Sequence, residues 1–339
     1  MRTYKKVVVI GAGSWGTALA ILLAGNGCNV TLWGHRQDHI EELKRDRENR
    51  KYLPGIIFPK NIHIEERISK AIESADFIIF AVPSQVFREI FKSISSLILK
   101  NCFLISAIKG VENETLLTIT QVIKEVILEK AENNFELNIG VISGPSFAKE
   151  VSLGLPTAVT IAFNNEQATV EVQKIFCNDY FRVYASRDVL GIEICAATKN
   201  IIAIASGICD GLGYGLNTRA ALITRGLAEI KRLGEKFNAK EQTFSGLSGL
   251  GDLILTCTGD LSRNRLVGIK LGSGKTITEI VNEMTMVAEG IKTTKSIYDL
   301  AKKHKIEMPI VEQVYEIIYN NKDCSRAVED LLKRVAKFE

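Results

Sequence analysis

The chain has 339 residues, of which 46% are hydrophobic and 24% charged, a composition typical of a globular protein with about two domains. Its 43 basic and 39 acidic residues leave a formal charge of +4, which is too small to indicate binding to nucleic acid or to a membrane surface. Seven scattered cysteines without a Cys-x-x-Cys pair and four histidines without metal-ligand spacing predict reduced thiols, a cytoplasmic location and no metal site.

Targeting and membrane segments are not expected. Only about four apolar residues follow Lys6 before the first glycine, which is too few for a signal peptide. The apolar stretch 192–208 is interrupted by Lys199 and Asn200, which is unfavourable for a membrane span.

The first predicted element is a buried strand that leads into a glycine motif. Residues 7–10 are apolar β-formers, Gly11, Gly13 and Gly16 follow in a Gly-x-Gly-x-x-Gly pattern, and residues 17–24 predict an apolar helix. In such a unit the first glycine permits a tight turn, the second lets the backbone approach a pyrophosphate, and the third allows close helix packing. The free N–H groups at the helix start favour phosphate. The motif predicts a bound dinucleotide, and a glycine-rich turn without a ligand is the alternative.

The second predicted strand, 30–33, bears on the choice of dinucleotide. A site that prefers NAD usually has an acidic residue at the end of this strand, where it binds the ribose 2′-hydroxyl. Here the strand is followed by Gly34, His35 and Arg36, and the acid is absent. Arg36 could pair with a 2′-phosphate, or it is a surface arginine without a ligand. The sequence favours NADP and leaves NAD use open.

The rest of the first half alternates short apolar runs with helical patterns, which predicts a doubly wound, mostly parallel α/β sheet. Further strands are predicted at 77–82, 102–107, 139–143, 158–162 and 181–184, and helices at 37–47, 86–97 and 116–131. After residue 188 the strand signal disappears. Helices are predicted at 189–209, 218–233, 263–271, 276–284, 293–303 and 311–320. We therefore predict a dinucleotide-binding domain at 1–188 and an all-helical domain at 189–339.

Hydride transfer to a ketone needs a proton donor, and histidine is a common one. The four histidines are in unpromising settings: the cofactor turn, polar runs that look like surface, and a cluster of lysines (His35, His39, His63, His304). Lys199 is the stronger candidate, because it lies within the apolar helix 192–205, where desolvation lowers the pKa of a lysine. The alternatives are a lysine that reaches solvent from the helix edge, or one that neutralises Glu193.

Four further features have the chemistry of substrate contacts. Lys109 ends a central strand, segment 143–148 with Gly144 and Ser146 is a strand-to-helix turn, and 245–252 reads as a glycine-rich loop that ends in Asp252. Ser262, Arg263 and Asn264 combine a hydroxyl, a guanidinium and an amide at a predicted helix start. Lys109 could instead be the solvated end of a strand, and each of the other three an ordinary loop or helix cap. Together they predict a nicotinamide-dependent dehydrogenase of a small polar, anionic substrate.

These segments closely resemble the bacterial NAD(P)-dependent glycerol-3-phosphate dehydrogenases, in order and over nearly the whole chain. The matching phrases are GAGSWGTALA from Gly11, LWGH from Leu32, LPG from Leu53, VISGPSFAKE from Val141, GLPTAV from Gly154, KNIIAIASG from Lys199, TRAALITRGLAE from Thr218, GLGDLILTCT from Gly249, SRNR from Ser262 and EMPI from Glu307. The resemblance implies a Rossmann domain followed by a helical domain similar to the C-terminal domain of 6-phosphogluconate dehydrogenase. It also implies reversible reduction of dihydroxyacetone phosphate to sn-glycerol 3-phosphate for glycerophospholipid biosynthesis, with NADP(H) or NAD(H) and no metal.

The same resemblance implies residue roles. Lys199 would be the acid–base residue. The substrate would contact Lys109, Gly144, Ser146, Lys199, Asp252, Ser262, Arg263 and Asn264. Besides Gly11, Gly13 and Gly16, the cofactor would contact Ser14, Trp15, His35, Arg36, Lys109, Ala148, Arg263, Val287 and Glu289. Family members commonly have Asn-Thr shortly after Glu-Gly, whereas this chain continues Ile291-Lys292-Thr293, so it departs from the pattern there.

Two other functions are consistent with the sequence. A β-hydroxyacid or 6-phosphogluconate-type dehydrogenase also pairs a Rossmann domain with a helical domain and uses a lysine on a helix. A non-catalytic NADP-binding regulator would keep the fold, but Lys199, Asp252 and Arg263 argue against it. A homodimer is expected from the frequency of symmetric oligomers.

Overall fold

The structure, a computed structural model, describes residues 5–129, 137–284, 286 and 288–335. The chain divides into two compact units. We call Met1–Lys109 with Thr118–Ile192 the sheet unit, and Gly110–Leu117 with Glu193–Glu339 the helical unit.

The sheet unit contains an eight-stranded sheet and a separate two-stranded one. The strands are β1 Lys6–Ile10, β2 Asn29–Trp33, β3 Glu48–Asn49, β4 Leu53–Ile57, β5 Ile62–Glu65, β6 Phe77–Phe80, β7 Phe103–Ser106, β8 Asn138–Ser143, β9 Thr157–Phe163 and β10 Phe181–Ser186. The order in the large sheet is β10-β9-β8-β7-β6-β1-β2-β5, and every neighbouring pair is parallel except β8 and β9. The central strands β1 and β6 are almost entirely buried, as expected of apolar parallel strands. The predicted mostly parallel sheet is confirmed.

Seven helices follow strands of this unit, and an eighth begins in it. They are α1 Ser14–Gly25, α2 Gln37–Asp46, α3 Ile68–Ala71, α4 Phe87–Ile94, α5 Ile119–Leu128, α6 Ala148–Ser152, α7 Glu166–Phe176 and α8 Val189–Gly211. The predicted start of α5 at Leu116 is wrong. Leu116 has a φ of 61°, which a helix does not tolerate, and α5 begins instead after a capping box of Thr118 and Gln121. The predicted end of this helix, at 131, lies outside the described residues.

The sequence patterns missed several short elements of the sheet unit. The strands β3 and β4 form an antiparallel hairpin at residues 48–57, which we call the 48–57 hairpin. Strand β5 and the helices α3, α6 and α7 were also not predicted. The hairpin matters for the site, because Asn49 and Tyr52 within it contact the glycine motif.

The helical unit contains the rest of α8 and eight further helices among the described residues. They are α9 Leu216–Lys236, α10 Glu241–Ser245, α11 Asp252–Thr258, α12 Arg263–Gly272, α13 Ile277–Glu283, α14 Glu289–His304, α15 Pro309–Asn320 and α16 Cys324–Leu332. The all-helical character predicted for this region is confirmed, although α10, α11 and α16 were missed. The predicted loop at 245–252 is wrong, because Leu247–Gly251 form a π-helical turn that runs directly into α11.

Close packing of glycines holds α12 against α8. A Cβ on Gly207 would lie 2.0 Å from the Arg265 carbonyl oxygen, and one on Gly268 would lie 2.0 Å from the Ile204 carbonyl oxygen. Backbones approach this closely only where side chains are absent. Among the described helices α8 is long and apolar enough to span a membrane, but 89% of its apolar window is buried within the protein. Such burial is typical of a core helix.

Candidate functional site

The glycine motif of the sheet unit forms a tight turn that is closely packed at Gly11 and Gly16 and open at Gly13. Gly11 has a φ of 122°, and a Cβ there would lie 2.4 Å from the Ala81 carbonyl oxygen. A Cβ on Gly16 would lie 1.8 Å from the Gly11 carbonyl oxygen, whereas a Cβ on Gly13 would meet nothing within 4 Å. Gly13 is also the N-cap residue of α1 and has no side chain to offer as a cap. The turn therefore exposes backbone at Gly13, as binding of a pyrophosphate requires.

The residues that follow Gly13 are anchored by the protein. The Ser14 hydroxyl donates a hydrogen bond to the Tyr52 carbonyl oxygen at 2.6 Å. Trp15 packs against the core of the sheet unit, and its Nε1 is buried with no partner among the described residues. An unsatisfied buried donor beside an open glycine turn fits a site that binds a polar ligand. The residues present are therefore compatible with a dinucleotide.

After the end of β2, Arg36 forms an ion pair with Asp38. Arg36 is exposed, and its Nε donates to Asp38 Oδ1 at 3.1 Å. This hydrogen bond from Arg36 lowers the pKa of Asp38 to about 2. No acid follows β2 directly, and the carboxylate that Arg36 contacts comes from Asp38 in the first turn of α2. His35 is exposed, with its ring centroid 6.5 Å from that of Trp33.

Another group of predicted residues meets at the carbonyl of Gly144, also in the sheet unit. Lys109 Nζ lies 3.5 Å and Ser146 Oγ 2.9 Å from the Gly144 carbonyl oxygen. Gly144 has a φ of 153°, and a Cβ there would lie 2.8 Å from Val159 Cα. Ala148 follows at the first position of α6. Lys109 and the segment that contains Gly144 and Ser146, which were predicted separately, thus meet at one carbonyl oxygen.

In the helical unit, Lys199 is buried beside a carboxylate. Its Nζ lies 2.8 Å from Asp252 Oδ1, and the two side chains are only 5% and 2% exposed. Lys199 Nζ also donates to Thr256 Oγ1 at 2.6 Å, and Thr256 Oγ1 in turn donates to the Asp252 carbonyl oxygen at 2.6 Å. Burial excludes the alternative in which the lysine reaches solvent. The sequence missed Thr256, although its spacing of four residues from Asp252 places both on one face of α11.

The π-helical turn before α11 explains how Asp252 reaches this position. A Cβ on Gly249 would lie 2.2 Å from the Phe244 carbonyl oxygen, so this turn requires glycine. The turn buries Ser248 and delivers Asp252 at the first position of α11, with its carboxylate in the interior. The glycine-rich composition that suggested a loop instead allows a compact turn between two helices.

Of the three residues predicted at the start of α12, Ser262 and Asn264 cap helices and Arg263 is exposed. Ser262 is the N-cap and accepts a hydrogen bond from Arg265 N at 3.2 Å. Asn264 Oδ1 accepts one from Gly290 N at 3.0 Å and so caps the first turn of α14. A Cβ on Gly290 would also lie 3.0 Å from the Asn200 carbonyl oxygen, so the starts of α12 and α14 meet α8 one residue after Lys199.

Arg263, between these two capping residues, is more than a third accessible to solvent. Protein around its guanidinium nevertheless removes hydration and lowers the pKa of Arg263, and the charge of Glu289 opposes that shift. Both predicted residues therefore lie in one electrostatic neighbourhood. Val287 lies outside the described residues. Within the described ranges, no group of three or more His, Cys, Asp or Glu side chains could hold a metal ion.

Comparison with known proteins decides the family. A family model described as NAD-dependent glycerol-3-phosphate dehydrogenase N-terminus matches residues 6–169, and the corresponding C-terminus model matches residues 188–329. The chain belongs to this family. It is 56% identical over 334 residues to a protein of Desulfotalea psychrophila named glycerol-3-phosphate dehydrogenase (NAD(P)+), with 98% of each chain covered.

Solved structures of glycerol-3-phosphate dehydrogenases have the same fold as this chain. The glycerol-3-phosphate dehydrogenase of Coxiella burnetii superposes with a TM-score of 0.93 at 40% identity, covering 98% of this chain and 99% of that one. That of Saccharomyces cerevisiae gives a TM-score of 0.79 at 28% identity, covering 98% and 100%. The resemblance inferred from the motifs is confirmed, together with the fold class and membership in an NAD(P)-dependent family of oxidoreductases.

Proposed function

We propose that this protein reversibly reduces dihydroxyacetone phosphate to sn-glycerol 3-phosphate, with NADPH or NADH as the reductant. The observation that carries the proposal is the buried cluster of Lys199, Asp252 and Thr256. It occurs in a chain that is 56% identical to a named glycerol-3-phosphate dehydrogenase. A buried, ion-paired lysine is suited to give a proton to a reacting oxygen. The product would enter glycerophospholipid synthesis.

In the proposed mechanism Lys199 is the general acid. Reduction of a ketone needs a hydride on carbon and a proton on oxygen, and the nicotinamide supplies the hydride when bound. Lys199 Nζ gives its proton to the carbonyl oxygen as negative charge develops there, and takes it back when the alcohol is oxidised. Asp252 compensates the charge of the protonated lysine at 2.8 Å, and Thr256 Oγ1 holds the position of Nζ.

The substrate phosphate is assigned to cationic and helix-terminal groups. In the helical unit, Arg263 supplies a guanidinium fork, and Ser262 and Asn264 lie with it at the start of α12. In the sheet unit, Lys109, Gly144 and Ser146 form a compact polar group around one carbonyl oxygen, suited to a substrate oxygen. Together with Lys199 and Asp252, these residues are the proposed substrate contacts.

The cofactor is assigned to the glycine turn and its surroundings. The pyrophosphate would lie against the open backbone at Gly13, with Gly11 and Gly16 shaping the turn. Arg36 would face a 2′-phosphate. The other proposed contacts are Ser14, Trp15, His35, Lys109, Ala148, Arg263 and Glu289, and Val287 lies outside the described residues.

Domain roles and cellular context follow from the same assignment. Residues 1–188 would bind the dinucleotide, and residues 189–339 would bind the substrate and supply Lys199. A cytoplasmic homodimer is the expected state, since symmetric dimers are the commonest oligomers. Analytical ultracentrifugation of the purified chain checks the dimer, and a monomer at micromolar concentration would contradict it.

The function is tested by following NADPH absorbance with dihydroxyacetone phosphate for the wild type and for Lys199→Ala. The wild type should oxidise NADPH, and Lys199→Ala should lose activity about a thousandfold while still binding NADPH, because the proton donor is removed and the glycine turn is unaltered. Lys231→Ala is the matched control, since Lys231 pairs with Glu241 on the surface of the same unit. Its activity should equal that of the wild type.

Substrate profiling separates the proposal from its rivals. Oxidation of a β-hydroxy-carboxylate, with none of sn-glycerol 3-phosphate, would assign the chain to the β-hydroxyacid or 6-phosphogluconate type. Tight NADPH binding without turnover of either substrate would indicate a regulator. Near-normal activity of Lys199→Ala would remove Lys199 from the proton-transfer step.

A further inference from the structure

A fully buried asparagine, Asn49 of the 48–57 hairpin, is in direct contact with the glycine turn. Its Nδ2 donates to the Ala12 carbonyl oxygen at 3.0 Å and to Thr17 Oγ1 at 2.7 Å. Its Oδ1 accepts from Tyr52 N at 3.2 Å and lies 3.0 Å from His39 Nε2. A primary amide offers two donor hydrogens and two acceptor lone pairs, so these four bonds use its full capacity.

The orientation of this amide is fixed by its partners. The Ala12 carbonyl can only accept and the Tyr52 N–H can only donate, so Nδ2 and Oδ1 cannot exchange places. His39 Nε2 must therefore carry a hydrogen and donate it to Oδ1. His39 is 6% exposed and packs edge-on against the Tyr52 ring, with centroids 5.0 Å apart. The expectation that His39 lies in a polar surface run is wrong, because it faces inward from α2 beside Ile40 and Leu43.

The bond to Ala12 determines where the next N–H group points. The peptide between Ala12 and Gly13 is trans, since the described chain contains no cis peptide bond. In a planar trans peptide the C=O and the N–H point in opposite directions. A carbonyl of Ala12 held toward Asn49 therefore directs the Gly13 N–H away from the hairpin.

The same hairpin anchors the other neighbour of Gly13. The Ser14 hydroxyl bonds to the Tyr52 carbonyl oxygen at 2.6 Å. Both residues that flank Gly13 are thus held by the 48–57 hairpin, while the Cα of Gly13 itself borders open space. The turn is fixed from one side and left free on the other, which is the geometry that a preorganised anion site requires.

We propose that Asn49 is a positioning residue for the cofactor pyrophosphate, and that His39 holds the Asn49 amide in the orientation this needs. The inference rests on the proposed function only in taking NADPH as the ligand. Asn49 touches neither cofactor nor substrate. It acts by orienting the Gly13 N–H, so its loss should weaken cofactor binding and leave the chemical step intact.

The test is Asn49→Asp, measured by fluorescence titration with NADPH. Aspartate keeps the shape but replaces the donor with a carboxylate oxygen 3.0 Å from the Ala12 carbonyl oxygen, which repels it. The dissociation constant of NADPH should rise about tenfold, with kcat at saturating NADPH and the KM for dihydroxyacetone phosphate within about twofold of the wild type. Adenosine 2′-monophosphate, which lacks the pyrophosphate, should bind with unchanged affinity.

Asn61→Asp is the matched control. Asn61 Nδ2 donates to the carbonyl oxygens of Ala24 and Cys28 at 2.9 and 2.8 Å, so it secures the opposite end of α1 in the same manner. Asn61→Asp should lower the melting temperature without changing the affinity for NADPH. An equal loss of NADPH affinity in both variants would overturn the proposal, as would wild-type affinity in Asn49→Asp. Failure of the wild type to bind NADPH would instead contradict the proposed function.

A second variant keeps the test decisive if Asn49→Asp does not fold. His39→Phe retains a ring against Tyr52 but removes the donor to Asn49 Oδ1. The NADPH dissociation constant should then rise about threefold, because the amide keeps its other bonds but is less firmly held. An unchanged dissociation constant in His39→Phe would remove His39 from the positioning role.

Discussion

The glycine turn of the sheet unit and the lysine cluster of the helical unit are built on opposite principles. The turn offers backbone, depends on the absence of side chains at Gly11, Gly13 and Gly16, and borders open space. The cluster offers charged side chains, Lys199 and Asp252, which are withdrawn almost completely from water. We therefore expect the glycine turn to be disturbed by substitutions that add a side chain. The lysine cluster should be disturbed by substitutions that remove one of its two charges.

The energetic reason lies in solvation. A peptide N–H at a helix start is polar but uncharged, so the fold can leave it exposed at little cost. An ammonium and a carboxylate in the interior have lost their hydration, and each is tolerable only because the other is present. The largest effects are therefore expected in the helical unit, where one partner can be removed.

The strongest test of this contrast is Asp252→Ala. Lys199 would lose the carboxylate at 2.8 Å and remain buried. We expect the free energy of unfolding to fall by about 4 kcal/mol. Turnover should fall at least about a hundredfold, because the charge of the protonated lysine is no longer compensated. Urea denaturation and NADPH oxidation measure the two effects.

Asp260→Ala is the control for that variant. Asp260 pairs with Arg265 in the same unit, but its side chain is 97% exposed. Stability should change by less than about 0.5 kcal/mol, as for other exposed ion pairs. If Asp252→Ala were as stable and as active as Asp260→Ala, the pair at Lys199 would have no special role.

A second buried carboxylate of the helical unit, Glu229, is held by backbone N–H groups, whereas Asp252 is paired with a lysine. It accepts hydrogen bonds from Ile310 N at 2.7 Å and Val311 N at 3.2 Å and so caps α15. Burial raises the pKa of Glu229 from 4.5 to about 7, against the lowering effect of these two hydrogen bonds. Because the pKa is higher in the folded state, the neutral form contributes stability that is complete below pH 4.5 and is lost as the pH rises to about 7.

The Glu229→Gln variant makes this contribution measurable. The unfolding free energy of the wild type, relative to that of Glu229→Gln, should decrease by about 3 kcal/mol between pH 4.5 and pH 7, since glutamine does not titrate. Urea denaturation at a series of pH values gives the difference. A difference that stays constant with pH would show that Glu229 does not titrate in this range.

The two regions also differ in how far the sequence predicts them. The glycine turn is local: strand, turn and helix are consecutive, and the spacing of Gly11, Gly13 and Gly16 carries the information. The lysine cluster is not local, because Thr256 lies 57 residues from Lys199. An apolar helix that contains one lysine indicates the donor, but nothing in its pattern names the partners, which only the packing of α11 against α8 brings to it.

The elements that the patterns missed share a physical cause. Strand β3 has two residues, and its Asn49 is polar yet buried because its partners lie in a turn more than thirty residues earlier. The short α11 follows a π-helical turn whose glycines have the composition of a loop. His39 could have been recognised, since it precedes Leu43 by four residues and shares its helix face. Hydropathy patterns record the average burial of residue types, and these residues are exceptions to it.

Glycine substitutions probe the backbone site directly. In Gly16→Ala the new Cβ would lie 1.8 Å from the Gly11 carbonyl oxygen, so we expect a loss of about 2 kcal/mol in unfolding free energy. In Gly13→Ala the Cβ meets no protein atom, and φ is −79°, which alanine adopts freely. Stability should stay within about 0.5 kcal/mol, while the NADPH dissociation constant rises about tenfold because the methyl group occupies the open side.

Gly25→Ala is the control for both glycine variants, since it lies at the end of α1 with nothing within 4 Å of its Cβ. It should change neither stability nor NADPH affinity. Unchanged NADPH affinity in Gly13→Ala would contradict the approach of the pyrophosphate to this backbone. Full stability of Gly16→Ala would show that the turn can open without cost.

The smallest expected effect concerns the ion pair of Arg36 and Asp38, which follows β2 in the sheet unit. Arg36 and Asp38 are 54% and 61% exposed, so their ion pair is worth little to stability, but it occupies the guanidinium that a 2′-phosphate would need. In Asp38→Asn the guanidinium is released, and the ratio of kcat/KM for NADPH to that for NADH should rise about threefold. Asp46→Asn, at the far end of the same helix where Asp46 pairs with Arg45, should leave this ratio unchanged. A ratio that falls in Asp38→Asn would mean that the Asp38 carboxylate holds Arg36 in its binding position and does not compete with the 2′-phosphate for it. Charged side chains would then support ligand binding at the glycine turn, as they do in the lysine cluster.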